Sequence, residues 1–283
     1  MQIIINADDF GRSSSINRAV IKAHKQGILT SASLMVGGNA ADEAVNLAKE
    51  NPSLAVGLHL VTIAGPAVLP PAKIPDLVDQ DGCFPNSPVT TGIRYFFDQS
   101  IRVELESEIR AQFEKFVGSG LTLSHVDGHL HMHLHPTVFS LMLPMAKRYG
   151  AKGIRLPRDD PWLSLRYDPH RAATKITWAI VFGLLSRWCL TRLNGCDLIA
   201  AQHVYGLFQS GQMGEAYVKS LLEQINAPSA ELYFHPDTAY TGNELGPNPG
   251  DLDALLSLSI RDIIQEKGIQ LTTYQNLENE IKE

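Results

Sequence analysis

Two adjacent carboxylates, Asp8 and Asp9, follow a short apolar run in the motif NADDFG. Neighbouring side chains at the end of a strand point in different directions. One of them can therefore bind a cation while the other faces a substrate as a base. Asp is also common in turns and at helix N-termini, where its role is structural. The pair by itself leaves both interpretations open.

The segment SHVDGHLHMHLHP, residues 124–136, holds half of the ten histidines of the chain, namely His125, His129, His131, His133 and His135. Imidazole is the commonest metal ligand in proteins. In an extended backbone the last four would share one side, although they could not all reach one ion. We expect one or two of them to bind a metal and the others, with Asp127, to orient ligands or contact substrate. The alternative is a low-complexity tract that binds metal adventitiously.

Three further residues lie in or directly after apolar runs. They are His59 in AVGLHL, Arg155 in GIRLP and His235 in ELYFHP. A lone histidine in an apolar strand is more often a hydrogen-bonded core residue than a ligand. Their meaning therefore depends on whether the fold brings them to one place.

Apolar runs alternate with helix-period segments along the whole chain. The predicted strands are Gln2–Asn6, Ser31–Val36, Leu54–Leu60, Leu121–Val126, Gly153–Leu156, Leu198–Ala201, Glu231–Phe234 and Ile269–Thr273. The first helix is predicted to be capped by Ser14 or Ser15 and to stop at Gly27. The later helices are predicted at Ala40–Glu50, Ile101–Val117, Thr137–Tyr149, Arg171–Leu193, Gly214–Ile225 and Leu252–Gln265.

This alternation predicts a parallel sheet with right-handed crossovers. We expect a distorted (β/α) barrel that forms a single domain over residues 1–283, with a doubly wound open sheet as the alternative. On a barrel, the C-terminal ends of the strands converge on one mouth. Six candidates lie at or near such ends: Asp8, Asp9, His59, His129, Arg155 and His235. Their coincidence predicts one active site.

Two long segments rich in Pro and Gly, Ala64–Ser87 and Thr238–Gly250, are predicted to be binding loops rather than connectors. The composition is globular, with 44% hydrophobic and 19% charged residues. The net charge of −6 and the interspersed charges exclude a basic surface for nucleic acid. Three cysteines without ligand spacing and an N-terminus unlike a signal peptide indicate a cytoplasmic protein.

One apolar stretch, Ile176–Leu193, is short for a membrane span and carries Arg187 and Arg192. We favour an apolar helix packed on the sheet. A helix that touches a membrane surface or a lipid-bearing substrate is the alternative.

Mixed carboxylate and imidazole ligands fit Zn²⁺, Fe²⁺, Co²⁺ or Mn²⁺ better than an all-oxygen Mg²⁺ site. A divalent ion, a carboxylate base and an imidazole acid would suffice for hydrolysis of an amide. The sequence contains neither a Gly-rich phosphate-binding loop nor a GxSxG motif.

The motifs NADDFG, GLHL, DGHLHMHLHP and FHP, in this order and spacing, resemble the YdjC/ChbG family of carbohydrate deacetylases, and the resemblance covers essentially the whole chain. Gly128 stands where the family form H-x-D-S-H-x-H-x-H has serine, which leaves the ligand spacing intact. The resemblance implies a NodB-like distorted barrel and one divalent ion, Mg²⁺ or Zn²⁺, with Co²⁺, Mn²⁺ or Fe²⁺ as further choices.

Matched motif by motif, the resemblance implies that Asp9, His59 and His129 bind the ion. It implies that Asp8 is the general base and His235 the general acid. Arg155 matches more loosely and would orient Asp8 or bind substrate, and Asp127, His131 and His133 would serve similar orienting or binding roles.

Within the family, the segments TSASLMV, GLHLVTIAGPAVLPPAKIPDLVDQDG, LHPTV and SGQM are most similar to the hopanoid-associated branch, HpnK. That likeness implies an N-acetylglucosaminyl hopanoid as substrate, a cytoplasmic enzyme at the inner face of the membrane and, by analogy, a homodimer. A deacetylase of soluble chito-oligosaccharides is the nearest alternative. A metal-dependent phosphoesterase and a non-catalytic metal- or lipid-binding protein are readings from other classes.

Overall fold

The computed structural model describes residues 1–240 and 246–278. Within them, the strands are β1 (Gln2–Phe10), β2 (Ser31–Leu34), β3 (Ala55–Leu60), β4 (Leu123–Gly128), β5 (Gly153–Ile154), β6 (His203–Tyr205), β7 (Ser229–Phe234) and β8 (Gln270–Thr272). The helices are α1 (Ser14–Gln26), α2 (Ala41–Glu50), α3 (Pro88–Phe97), α4 (Arg102–Gly118), α5 (Pro136–Arg148), α6 (Pro161–Tyr167), α7 (Ala172–Leu193), α8 (Glu215–Gln224), α9 (Pro249–Leu256) and α10 (Leu258–Glu266). Two 3₁₀ helices cover Pro71–Lys73 and His129–Leu134.

All strand pairs are parallel, and the sheet order is β5-β4-β3-β2-β1-β7-β6, with β8 beside the first residues of β1. The two edges approach each other, because a single parallel bridge joins Gly153 of β5 to Ile199, shortly before β6. The sheet therefore curls into a distorted barrel, and the expected fold class is confirmed over the open doubly wound sheet.

Strand β1 is the centre of the sheet, and Ile3, Ile4 and Ile5 are fully buried. The predicted strand ended at Asn6, but β1 continues to Phe10. Asp8 and Asp9 consequently lie inside the strand rather than after it. Pairing with β2 extends as far as Phe10 opposite Leu34, which explains the extra length.

Helix α4 packs against β3 and α5 through one apolar face. Its residues Leu105, Ile109, Phe113 and Phe116 are fully buried. The ring of Phe113 stacks on Tyr149 with the centroids 5.4 Å apart. Part of the hydrophobic core therefore lies between α4 and the sheet.

Several predicted elements were wrong in their bounds. The predicted strand Leu198–Ala201 contributes only the Ile199 bridge, because the chain crosses there towards β7 and forms β6 two residues later. The predicted helix Leu252–Gln265 is two helices, since Ser257 is extended and its hydroxyl caps the second by accepting from the Ile260 amide. Ser13, not Ser14 or Ser15, caps α1.

Two helices, α3 and α6, were not predicted. Both begin at a proline in the first turn, where its missing N–H costs nothing. The predicted loop Ala64–Ser87 is irregular apart from one 3₁₀ turn and one antiparallel bridge between Pro66 and Cys83. Buried Glu108 anchors this loop by accepting the amides of Val68 and Leu69. Residues 241–245 of the second predicted loop lie outside the described residues.

Candidate active site

The end of β1 directs its two carboxylates to different neighbours. Asp9 has φ 64°, a left-handed conformation that Asp tolerates better than most residues. This twist turns Asp9 towards β3 and β4, while Asp8 faces Arg155 beyond β5 and His235 beyond β7. This geometry agrees with the expectation that the two adjacent carboxylates point in different directions.

Arg155 holds Asp8 in a bidentate pair, with both N–O distances at 2.7 Å. The same guanidinium bonds Glu231 of β7 at 2.7 Å and Asp127 of β4 at 2.9 Å. Arg155 is fully buried, so three carboxylates neutralise a cation that would otherwise be very unfavourable there. Tyr274 completes the cluster by donating its hydroxyl to Glu231.

Asp9, His59 and His129 bring three ligand atoms within 4.8 Å of one another. Asp9 Oδ1 lies 3.5 Å from His59 Nε2 and 3.2 Å from His129 Nδ1. Ligands bound at about 2.1 Å to one ion are separated by about 3.0–3.4 Å, so the spacing fits a shared cation. Asp9 Oδ1 is also buried without a hydrogen-bond partner. The donor set and this unpartnered oxygen both fit a divalent metal.

Asp127 fixes the orientation of His59. Its Oδ1 accepts from His59 Nδ1 at 2.8 Å, which leaves His59 Nε2 directed at Asp9. Its Oδ2 accepts from the Ser33 hydroxyl at 2.7 Å. A carboxylate behind a metal-binding histidine is the usual arrangement in metalloproteins.

Neighbouring charges shift the pKa values of two buried groups in the cluster. Burial lowers the pKa of His59, but the neighbouring Asp127 outweighs it and raises that pKa to about 9. Burial likewise raises the pKa of Asp9, but His129, Arg12 and His59 outweigh it and hold the pKa well below its usual range. In the absence of a metal, protons and Arg12 thus supply the positive charge. Metal binding would displace the proton of His59.

His235 follows β7 on the Asp8 side of the site. Its Nε2 lies 3.9 Å from Asp8 Oδ2, too far for a hydrogen bond but close enough for both to contact one small group. Its backbone amide donates to Asp251 at 2.9 Å, which anchors the residue to the start of α9.

The histidine tract is not extended, so its histidines do not share one side of the backbone. Residues His129–Leu134 form a 3₁₀ helix in which Leu130 and His131 have φ of 50° and 56°. This left-handed kink sends His131 to the Tyr233 hydroxyl and His133 to the Arg155 carbonyl, each at 2.9 Å. Both are buried behind the Arg155 cluster.

The other two histidines of the tract have structural neighbours. His125 stacks on Tyr274 with centroids 4.9 Å apart, and burial lowers its pKa to about 4. A Cβ on Gly57 would lie 2.4 Å from the His125 ring, so glycine is required there. His135 caps α5 and accepts from the Thr137 amide.

The structure therefore brings all six predicted mouth residues into one cluster, together with Asp127. Sequence reasoning missed Glu231, Tyr274, Ser33 and Arg12. Glu231 had a readable signal, because it is a charged residue inside the apolar run of a predicted strand. The other three belong to common polar types at positions without a motif.

The parallel barrel carries an Asp–His–His group that could hold a metal ion, with Asp8 and His235 beside it, at the C-terminal ends of its strands. The family model described as YdjC-like protein matches residues 2–266. The chain belongs to the YdjC-like family.

Related proteins agree with this assignment. A carbohydrate deacetylase of Brevibacillus brevis is 30% identical over 98% of this chain and all of its own length. One from Geobacillus stearothermophilus is 42% identical over 52% of this chain and 56% of its own. A solved structure from Enterococcus faecalis V583, provisionally named a cellobiose-phosphate cleavage protein, superposes with a TM-score of 0.74 at 24% identity, covering 98% of both chains. That structure supports the fold.

Proposed function

We propose that the protein is a metal-dependent deacetylase that hydrolyses the acetamide of an N-acetylhexosamine. Family membership and a full-length relative named carbohydrate deacetylase support the enzyme class. The observation that carries the proposal is the pairing of Asp8 and His235 beside an Asp–His–His cluster that contains an unpartnered carboxylate oxygen.

Asp9, His59 and His129 would hold the ion. A bound divalent metal polarises a carbonyl and lowers the pKa of water. Mg²⁺ and Zn²⁺ are the first choices, and two imidazoles among three ligands favour Zn²⁺ or another transition metal. Asp127 keeps His59 Nε2 directed at the site.

Asp8 accepts the proton of the attacking water. Arg155 and Asn6 hold this carboxylate in place, since Asn6 Nδ2 donates to Asp8 Oδ1 at 2.9 Å. Asp8 Oδ2 bonds only the Arg155 NH1 group among the described residues, so it retains a lone pair for the water. His235, on the other side of Asp8 Oδ2, donates a proton to the departing amine. The products are acetate and a free amino sugar.

The second part of the proposal concerns the group that is attached to the sugar of the substrate. A cavity of about 1190 Å³ lies between α7 and the loop before α9, with Trp178, Phe208 and Asn248 in its lining. It adjoins the acid, because the Asn248 amide donates to the His235 carbonyl. Its aromatic lining favours an apolar group attached to the sugar, such as the hopanoid of an N-acetylglucosaminyl hopanoid.

The same cavity also contains Asp168, Arg171 and Gln212, which could bind sugar hydroxyls. This polar part favours a soluble chito-oligosaccharide as the second candidate. A further cavity of about 490 Å³ beside Arg12, Ser13 and Asp237 could receive part of either substrate.

The test is acetate release from an N-acetylglucosaminyl lipid and from chitobiose, with metal added and then chelated. We expect metal-dependent release, faster from the lipid. Release from chitobiose alone would retain the chemistry and replace the substrate. No release from either by protein that retains metal would refute the deacetylase.

A further inference from the structure

Helix α7 has an apolar face that no other described residue covers. Its inner side is fastened to the barrel, because Ser186 Oγ donates to the Pro157 carbonyl and the Phe182 ring lies 5.6 Å from that of His131. Its outer side exposes Ile180 and Leu184 to 59% and 65%. Only 17% of its most apolar 18-residue window is buried. A helix that is apolar all round normally has both sides covered.

Helix α3 repeats this arrangement. Its inner side is held by Tyr95, which donates its hydroxyl to the Thr62 carbonyl, and whose own carbonyl accepts from Thr137. Its outer side exposes Val89 and Phe97 to 71% and 75%. Single exposed apolar residues are ordinary, but a row of them on a helix marks a surface that binds something.

The two helices flank one segment of the chain. Both helices contact the 3₁₀ segment that begins at His129. Leu130, next in the chain, is itself 38% exposed. We call the exposed apolar side chains around this segment the apolar rim; they are Val89, Ile93, Phe96, Phe97, Leu130, Ile176, Ile180, Val181 and Leu184.

Helix α7 carries basic side chains and no Asp or Glu, although the chain as a whole carries −6. Lys175 is buried and paired with Asp168 at 3.1 Å, so the exposed charges of the helix are those of Arg187 and Arg192. Within the described ranges, Arg187 is exposed and forms no ion pair. A second copy packed on this face would bring arginines together without a carboxylate from α7. Acidic lipid headgroups would complement them.

An exposed tryptophan adds to this surface. Trp162 on α6, the helix packed beside the start of α7, is 66% exposed. The Arg192 guanidinium lies over the Trp188 ring at 3.6 Å. Tryptophan and arginine both favour the boundary between headgroups and acyl chains.

We propose that the apolar rim docks on the surface of a bilayer that contains anionic phospholipid, with α3 and α7 lying in the headgroup region. Helix α7 has the length and composition of a span, but its inner side is bonded to the barrel, so it lies on the membrane rather than crossing it. Docking brings the catalytic mouth to the bilayer. The purpose of docking is access to a lipid-linked sugar, and this purpose rests on the proposed function. The docking itself does not rest on it.

The experiment is co-sedimentation of the full chain with vesicles of phosphatidylcholine, with and without phosphatidylglycerol. The test variant is the double substitution Ile180→Glu and Leu184→Glu. The matched control is Leu258→Glu, since Leu258 is 69% exposed on α10, away from the rim. Circular dichroism and thermal unfolding establish that every variant is folded.

We expect the wild type and Leu258→Glu to bind anionic vesicles. We expect the double variant to bind them at least about ten-fold more weakly. Arg187→Gln should weaken binding several-fold and reduce its salt dependence. Absence of wild-type binding, or equal binding by the double variant, would overturn the proposal. So would a stable dimer in sedimentation equilibrium that Leu184→Glu dissociates. An enzyme inactive on every sugar that still binds vesicles would refute the proposed function alone.

Discussion

The two sides of the active site differ in how their negative charges are balanced. On the Asp8 side, both carboxylate oxygens are bonded and Arg155 joins Asp8 to Asp127 and Glu231. On the Asp9 side, Arg12 bonds one oxygen at 2.7 Å, and the other lies 3.2 Å from His129 Nδ1 and 3.5 Å from His59 Nε2 without a hydrogen bond. One carboxylate is held by an arginine network, and the other lies beside two imidazoles.

This difference separates two roles for chemically identical residues. A carboxylate held by a buried arginine is fixed in place, which suits a base that must not move. A carboxylate with an unpartnered oxygen beside two histidines suits a ligand. The following variants test whether the two sides are in fact independent.

Asp8→Asn should give the largest loss. It removes the proton acceptor, so turnover should fall by up to about 10⁴-fold. Metal content, measured by atomic emission, should be unchanged. Asp9→Asn is the matched control and should lose metal. If Asp8→Asn lost its metal as well, the two sides would not be independent.

His235→Ala should reduce acetamide hydrolysis by about 10²–10³-fold, because an amine leaves only when protonated. An aryl acetate, whose leaving group needs no proton, should be hydrolysed by this variant at close to the wild-type rate. The measurement compares the rate of the variant with that of the wild type on each of the two substrates. Equal losses on both would remove the acid role and leave His235 a binding residue.

Arg155→Met should destabilise the fold by about 3–5 kcal/mol, because it leaves buried carboxylates without their counter-ion. Urea unfolding measures the change. Adding Glu231→Gln should restore part of the stability, since one buried charge fewer then lacks a partner. If the double variant lost the sum of the unfolding free energies that the two single variants lose, the network would be contradicted.

Asp127→Asn should weaken metal binding about 10–100-fold, because a neutral amide, whose NH2 group can replace either oxygen, orients His59 less firmly than the carboxylate does. A chelator competition titration gives the affinity. Ser33→Ala, which removes a different partner of Asp127, should have a smaller effect. Unchanged metal affinity in Asp127→Asn would show that His59 does not need the Asp127 carboxylate to orient it.

Asp159 shows what burial does to a carboxylate without a cation. It accepts the amides of Gly206, Leu207 and Phe208, yet burial raises its pKa to about 7. Since the pKa in the fold exceeds the ordinary value, its contribution to stability is greatest below about 3.8 and is lost as pH rises to about 7.

The measurement is the unfolding free energy of wild type and Asp159→Asn between pH 4 and pH 8. We expect the wild type to lose stability relative to Asp159→Asn as pH rises through this window, and the difference to be constant above it. A difference that does not vary with pH would place the pKa of Asp159 near its ordinary value.

The sequence predicted the barrel and the convergence of Asp8, Asp9, His59, His129, Arg155 and His235, because strand alternation and polar residues at strand ends are local patterns. It did not predict the kink at Leu130 and His131, where tertiary contacts with Tyr233 and Arg155 override the extended preference. Nor did it predict Glu231 as a partner of Arg155, since the two are 76 residues apart. The individual roles of the site residues stay predictions.

The order of strands in the sheet has a consequence for biosynthesis. The candidate ligands lie on or directly after β1, β3 and β4, within a run of four strands that are consecutive in the chain and adjacent in space. The position of His235 instead depends on the pairing of β1 with β7, whose partners are separated by more than 220 residues, as in Gln2 opposite Ser229. Short-range pairing forms faster than long-range pairing. A nascent chain can therefore bring Asp9, His59 and His129 together before it has synthesised His235.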